Sequence, residues 1–144
     1  NLGKRLVKSP KMYFSDTGLA SYLMGLRDGE ALLNSPAFGA LFETLVITDV
    51  WKRFLNGGEM PSMFYLRTRD GLEVDLLIEL GQKLSLFEVE SAMTAWPKHA
   101  DALGRLIGGL RSPVQTAGVI TRAAGRFTLK KGVDNFNWKD VLGG

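Results

Sequence analysis

The sequence predicts a small α/β domain, a mixed sheet flanked by helices in the order helix, three strands, helix, strand. Three patterns support this fold class: an apolar stripe at helical spacing over 38–55, three short apolar segments over 63–90, and a second amphipathic stretch from Pro97. The chain has 144 residues and is 45% hydrophobic, enough for one domain with a buried core. We assign 11–144 to this domain and expect 1–10 to be a basic lead-in from an upstream region.

The first elements are short. Residues 11–14 predict a strand, because Tyr13 lies in a brief apolar run. Asp16 is a suitable N-cap for a helix that ends at about Met24. The segment 25–36 is expected to be a loop or a short helical turn.

The clearest helix covers 38–55. Its apolar stripe follows Glu43 at three, four, seven and eleven positions, and consists of Val46, Ile47, Val50 and Phe54. Glu43 therefore belongs to the face that packs on the rest of the domain. The Asn-Gly-Gly sequence at 56–58 ends the helix.

Three strands are predicted at 63–67, 72–80 and 84–90. Short turns at 69–71 and 81–82 leave no room for crossover connections, so the three strands should form an antiparallel meander. The 38–55 helix should pack on one face of that sheet.

Alternation assigns the faces of the second strand. Val74, Leu76 and Ile78 are expected to point one way, and Glu73 and Asp75 the other way. Carboxylates in such apolar segments are costly to bury without a counter-charge, which makes them candidates for a functional site.

After the meander, Pro97 starts a second amphipathic helix. A strand is predicted at 115–121 and a short edge strand at 127–129. The last dozen residues give no clear pattern.

Composition limits the chemistry. There is no cysteine and only one histidine, so a metal would be held mainly by oxygen, which favours Mg²⁺, Mn²⁺ or Ca²⁺. The Gly-x-x-x-x-Gly-Lys-[Ser/Thr] motif is absent, so ATP would bind only in a different domain.

No apolar run approaches the length of a membrane helix and no signal peptide is recognisable, so we expect a cytoplasmic domain without membrane contact.

Charge is unevenly distributed. The centre, 43–90, has an excess of acidic residues, whereas 1–11 and 102–133 contain basic residues and no acidic ones. This arrangement suits a metal site that handles a polyanion such as nucleic acid. Ordinary surface lysines and arginines are the alternative.

Glu43, Asp75 and Glu88 are the candidate metal ligands. Metal-dependent phosphodiester hydrolysis needs carboxylates that converge on one ion, and neighbouring strands lie ~4.8 Å apart. Asp75 and Glu88 can therefore meet, and Glu43 on the helix can complete the set. The alternative is a structural network of ion pairs with Lys52, Arg67 or Arg69.

Five short motifs over roughly 8–125 carry a family resemblance. They are Lys11-x-Tyr13-x-x-Asp16-x-Gly18-Leu19, Gly39-x-x-Phe42-Glu43-x-x-Val46, Tyr65-x-Arg67, Glu73-Val74-Asp75 and Glu88-Val89. Together they resemble the uncharacterised domain that follows the AAA+ module in many bacterial and archaeal ATPases. That domain is similar to the PD-(D/E)xK nucleases, which have the restriction endonuclease-like fold.

The resemblance implies a restriction endonuclease-like αβββαβ core with catalytic positions at Glu43, Asp75, Glu88 and Glu90. The family pattern has lysine at the last of these, where this chain has Glu90. A carboxylate there cannot supply the positive charge, so the resemblance implies impaired catalysis unless Lys52, Lys83 or Lys98 takes that role. It also implies an upstream ATPase domain in the same chain, the part that would bind ATP.

Three functions follow as alternatives. The first is an accessory domain of an AAA+ type protein that binds nucleic acid or another partner with impaired catalysis. The second is an active Mg²⁺- or Mn²⁺-dependent nuclease that uses Glu43, Asp75 and Glu88. The third is a protein-interaction or oligomerisation module, and the oligomeric state stays open.

Overall fold

A computed structural model describes residues 10–69, 71–110 and 112–143. They form a six-stranded mixed sheet in the order β1-β2-β3-β4-β6-β5, with helices packed against it. The helices are α1 (Thr17–Leu23), α2 (Gly29–Asn34), α3 (Phe38–Asn56), α4 (Asp101–Ile107) and α5 (Trp138–Gly143). The strands are β1 (Ser62–Arg67), β2 (Glu73–Leu80), β3 (Lys83–Val89), β4 (Val114–Thr121), β5 (Phe127–Lys130) and β6 (Val133–Asn137). The mixed α/β fold class is confirmed.

The predicted helices at 16–24 and 38–55 are confirmed. The Asp16 carboxylate accepts a hydrogen bond from the backbone N–H of Leu19 at 2.9 Å and caps α1. The predicted helical turn in 25–36 is present as α2. One turn of 3-10 helix from Pro97 leads into α4, so the second amphipathic helix is also confirmed.

The strand predicted at 11–14 is wrong. This segment lies outside the sheet in irregular conformation. Its side chains still alternate, because Met12 is 91% exposed and Phe14 is 49% exposed, while Lys11 and Tyr13 are half-buried. The alternation therefore results from packing against α3 and the sheet, without a pairing strand.

The antiparallel meander is confirmed. β2 pairs with both β1 and β3 in antiparallel orientation. The turn into β3 has Gly81 at φ 62°, and the turn into β2 has Gly71 at φ 82°, conformations that favour glycine. Asp70, part of the predicted first turn, lies outside the described residues.

β4 joins the meander through a crossover that contains α4, so it pairs parallel with β3. The final residues, for which the sequence predicts no element, form β6 and α5. β6 pairs parallel with β4 and antiparallel with β5, which leaves β5 at the sheet edge as predicted. In the described ranges, no helix is both long and apolar enough to cross a membrane.

Two apolar clusters lie on the two sides of the sheet. One packs α3 on the sheet and contains Phe42, Val46, Ile47, Val50, Leu76, Ile78, Val89 and Ile120. The other packs α4 and contains Leu72, Val74, Leu84, Leu86, Ala100, Leu103, Leu106, Ala117, Val119 and Val133. The predicted packing of the 38–55 helix on one face is confirmed.

The predicted alternation along β2 is wrong at Val74. Phe64 of β1 pairs with Leu77, but Leu66 pairs with Val74, so β2 contains one extra residue there. Such a β-bulge changes the side of the sheet that successive side chains face. Val74 consequently packs in the α4 cluster, while Leu76 packs in the α3 cluster. Asp75 and Leu76 then line the same cavity.

Candidate functional site

Three carboxylates from α3, β2 and β3 meet around the bulge of β2. The backbone pairing of β2 with β3 begins at Leu76, opposite Phe87. Beyond that pair the Asp75 carboxylate takes the place of a backbone hydrogen-bond acceptor. Its Oδ2 accepts a hydrogen bond from the N–H of Val89 at 2.9 Å. The side chains of Asp75 and Glu88 are thereby brought together where the two strands separate.

Asp75 and Glu88 share a hydrogen bond between their carboxyl groups. Burial raises the pKa of Glu88 to about 10, and the charges of Asp75, Glu90 and Glu73 add to that shift. Glu88 is therefore protonated at neutral pH and can donate a hydrogen bond to the carboxyl group of Asp75.

The raised pKa of Glu88 predicts that the stability of the folded state depends on pH. In the folded state the pKa of Glu88 is about 10, whereas in the unfolded chain its pKa lies near the ordinary value of 4.5. The folded state therefore binds more protons between these values, and the free energy of unfolding should fall as pH rises through this window. The slope is at most about 1.4 kcal/mol per pH unit.

Urea denaturation in EDTA, at pH values from 5 to 9, checks this expectation. Glu88→Gln keeps the shape and cannot ionise, so its free energy of unfolding should depend less on pH than that of the wild type. Parallel pH profiles for the two proteins would contradict a protonated Glu88.

Lys11 supplies the positive charge of the site. Its Nζ lies 2.5 Å from Oε1 of Glu43, 3.4 Å from Oδ1 of Asp75 and 3.7 Å from Oε1 of Glu73. Burial alone would lower the pKa of Lys11, but Glu43 and Asp75 outweigh it and hold that pKa above its usual range. The ammonium thus remains charged at the centre of the carboxylates.

Tyr13 holds the same carboxylate from a second direction. Its hydroxyl donates a hydrogen bond to Oε1 of Glu43 at 2.9 Å, and burial followed by the charge of Glu43 raises the pKa of that hydroxyl. The ring centroids of Tyr13 and Tyr65 lie 5.7 and 5.5 Å from Nζ of Lys11. Both rings are within the range of a cation–π contact.

The three predicted metal ligands are linked in the structure, because Lys11 contacts both Glu43 and Asp75 and the carboxyl group of Glu88 adjoins that of Asp75. Glu90 is exposed just after β3, close enough for its charge to act on Glu88. The lysines suggested as a substitute for the missing cation are Lys52, Lys83 and Lys98. All three are exposed, and none of them contacts the three carboxylates among the described ion pairs.

The cation comes instead from Lys11, which was missed as a site residue. Tyr13 was missed with it, although both belong to the first family-like motif. The usable signal was a lysine and a tyrosine at alternate positions of a segment just before a capped helix. Of the cations suggested for an ion-pair network, Arg67 is described in an ion pair at the rim of the site, where its Nε lies 3.8 Å from Oε2 of Glu73.

The donor chemistry of the site fits Mg²⁺ or Mn²⁺, because all three candidate ligands are carboxylates. Across the described ranges, no three His, Cys, Asp or Glu side chains have a geometry ready to hold a metal. The ammonium of Lys11 compensates part of the carboxylate charge, and the raised pKa of Glu88 keeps that carboxyl group uncharged at neutral pH. The metal role of these residues stays a prediction.

A groove of about 390 Å³ opens beside the site. Lys11 and Asp75 line one part of it, and the aromatic side chains of Trp51, Phe64 and Tyr65 line another. Trp51 is 39% exposed and Phe64 is 54% exposed, so flat apolar surface faces solvent next to the charged cluster. This surface can stack against planar rings.

The basic stretch within 102–133 is partly neutralised. Arg126 Nη2 lies 2.9 Å from Oδ2 of Asp134, and Lys130 pairs with Asp101. The hydrogen bond from Arg126 and then that from Thr128 lower the pKa of Asp134. Arg111 lies outside the described residues. These pairs leave less free positive charge for nucleic acid than the sequence indicates.

The fold and the site together define an α/β domain in which carboxylates from α3 and β2 meet at one place. The ammonium of Lys11 compensates their negative charge. The family described as a domain of unknown function (DUF4143) matches residues 38–140, and the chain belongs to this family. Lys11 and Tyr13 precede the matched residues.

The chain is 35% identical over 94 residues to an uncharacterized protein of Mycobacterium bovis and equally to one of Mycobacterium tuberculosis. The match covers 65% of this chain and 20% of each relative, so the chain spans about a fifth of the length of the curated relatives it matches. No solved structure matches the chain.

Proposed function

We propose that this chain is an accessory domain of a larger AAA+ type ATP-binding protein, with a restriction endonuclease-like fold. In this proposal it binds nucleic acid and has impaired catalysis. The observation that carries the proposal is the convergence of carboxylates from α3, β2 and β3 at one end of an aromatic groove. The helix, the antiparallel meander and the parallel crossover strand support the proposed nuclease-like core.

The proposed place in a larger protein has two supports. The curated relatives extend well beyond the region that matches this chain. The chain lacks the Gly-x-x-x-x-Gly-Lys-[Ser/Thr] motif, so ATP would bind in the proposed ATPase domain.

Impaired catalysis follows from the charges around the site. Glu43, Asp75 and Glu88 would hold Mg²⁺ or Mn²⁺, which when bound polarises a phosphoryl oxygen and activates water. Glu90 adds negative charge where a cation would help. Lys11 is already engaged by Glu43 and Asp75, so it is not free to stabilise the charge that develops on a phosphate.

An active metal-dependent nuclease is the second candidate. The observation that favours it is the closeness of the Asp75 and Glu88 carboxyl groups, since the charge of Asp75 helps to raise the pKa of Glu88. A divalent cation that binds both groups would displace the proton of Glu88.

Nucleic-acid binding can be tested at the groove. We expect Trp51→Ala to weaken the binding of a fluorescent single-stranded oligonucleotide by about tenfold, because base–aromatic stacking contributes about 1–3 kcal/mol per base. Fluorescence anisotropy at low salt, with Mg²⁺ present, measures the dissociation constant. Trp96→Ala is the matched control, since Trp96 is 56% exposed but does not line the groove.

Two outcomes would contradict nucleic-acid binding at this groove. One is a wild-type domain that binds neither single-stranded nor duplex oligonucleotides at low salt. The other is a Trp51→Ala variant that binds as tightly as the Trp96→Ala variant. The first outcome would favour a protein-interaction module.

A further inference from the structure

Lys11 contacts the same oxygens that a divalent cation would need. Its Nζ contacts Oε1 of Glu43 and lies 3.4 Å from Oδ1 of Asp75. The other oxygen of Asp75, Oδ2, already accepts the backbone hydrogen bond from Val89. Lys11 thus covers Oδ1, the oxygen of Asp75 that does not accept the backbone hydrogen bond.

Lys11 is also well held in this position. The side chain is 28% exposed and extends between the rings of Tyr13 and Tyr65. Tyr13 comes from the same short segment and binds the same oxygen of Glu43. The segment 10–15, which we call the strap, is thus attached to α3 and β2 by two inward side chains. Its neighbouring residue Met12 faces solvent.

We propose that Lys11 is a positioning residue that closes the carboxylate site, because its ammonium and a divalent cation compete for Glu43 and Asp75. The inference rests on the proposed nuclease-like site. Metal ligands lie ~2.0–2.6 Å from the ion, so an ion bound to both carboxylates overlaps the ammonium. Metal binding then requires Lys11 to withdraw and the strap to loosen. The apparent metal affinity is reduced by the fraction of molecules in which Lys11 is engaged.

Mn²⁺ titration by isothermal calorimetry tests this competition on the whole chain without any nucleic acid. Lys11→Met keeps much of the stem and removes the charge, and we expect it to bind Mn²⁺ about tenfold or more tightly than the wild type. Lys11→Arg retains a cation and should bind as weakly as the wild type.

Arg67→Met is the control for a general charge effect. It removes a positive charge that reaches the outer oxygen of Glu73 and has no described contact with Glu43 or Asp75. Its Mn²⁺ affinity should change by about threefold or less, as expected for a screened surface charge.

A second measurement uses the wild type alone, in case Lys11→Met does not fold. Acetylation of lysines by an amine-reactive reagent, read by mass spectrometry of peptides, should become faster at Lys11 when Mn²⁺ is added. Labelling of the exposed Lys98 should stay constant.

Three results would overturn the competition: Lys11→Met binding Mn²⁺ no better than Arg67→Met, Mn²⁺ leaving Lys11 labelling unchanged, or no Mn²⁺ binding by any variant. None of them depends on oligonucleotide binding, so the inference and the proposed function can fail separately. A domain that binds oligonucleotides but shows no competition retains the function and loses the role of Lys11.

Discussion

Glu90→Lys is expected to raise Mg²⁺- or Mn²⁺-dependent cleavage of nucleic acid from a low wild-type level by about 10²–10³, the usual effect of one electrostatic group on a transition state. The exposed end of β3 places position 90 close to Glu88, within reach of the proposed metal ligands. A lysine there would stabilise the negative charge that develops on the phosphoryl group, which Glu90 opposes. Cleavage of labelled single-stranded and duplex DNA and RNA measures the rate.

Asp75→Ala is the control for that experiment. Added to the Glu90→Lys protein, it should abolish the gained activity, because Asp75 is a proposed metal ligand and orients Val89 and Glu88. Robust cleavage by the wild type that Asp75→Ala abolishes would contradict impaired catalysis. The active nuclease would then become the preferred function.

Gly118→Ala is expected to lower the free energy of unfolding by about 1–3 kcal/mol, the usual cost of overpacking a core. A Cβ at Gly118 would lie 2.3 Å from Cε2 of Phe136 and 2.9 Å from the backbone oxygen of Asp134. The Phe136 ring cannot move freely, because it packs edge-on against Phe87 with centroids 5.9 Å apart. Gly118 thus lets β6 approach β4 closely.

Urea denaturation of Gly118→Ala and Gly104→Ala provides the comparison. A Cβ at Gly104 meets nothing within 4 Å, and Ala favours a helix over Gly by about 0.5–1 kcal/mol, so this variant should be equally or more stable than the wild type. Equal stability of the two variants would show that β6 does not pack on β4 as described.

The sequence predicts α3 and the meander well, because both depend on local signals. The stripe after Glu43 has helical spacing, and the short turns permit only antiparallel neighbours. The strand β6 could not be predicted, since Asn135 and its polar neighbours have low strand propensity. The position of β6 depends on tertiary hydrogen bonds. Asn135 is fully buried, its Oδ1 accepts a hydrogen bond from the hydroxyl of Thr121 at 2.7 Å, and its Nδ2 donates one to the backbone oxygen of Gly125 at 2.9 Å.

The sequence indicates the acidic residues of the candidate site, but it does not indicate the lysine that pairs with them. Glu43, Asp75 and Glu88 are conspicuous because apolar residues surround them in the sequence. Lys11 lies far from them along the chain and in a segment without regular structure, so no periodicity connects it to Asp75. The β-bulge in β2 was equally hidden, since strict alternation places Val74 and Leu76 on one face.

The arrangement of the three carboxylates is tested most directly by diffraction from crystals of the Lys11→Met variant soaked with Mn²⁺. An anomalous peak between Glu43, Asp75 and Glu88, with carboxylate oxygens at ~2.0–2.6 Å, is the expected result. No Mn²⁺ at this position, with the three carboxylates still clustered and fully accessible, would contradict a divalent cation site built from α3, β2 and β3.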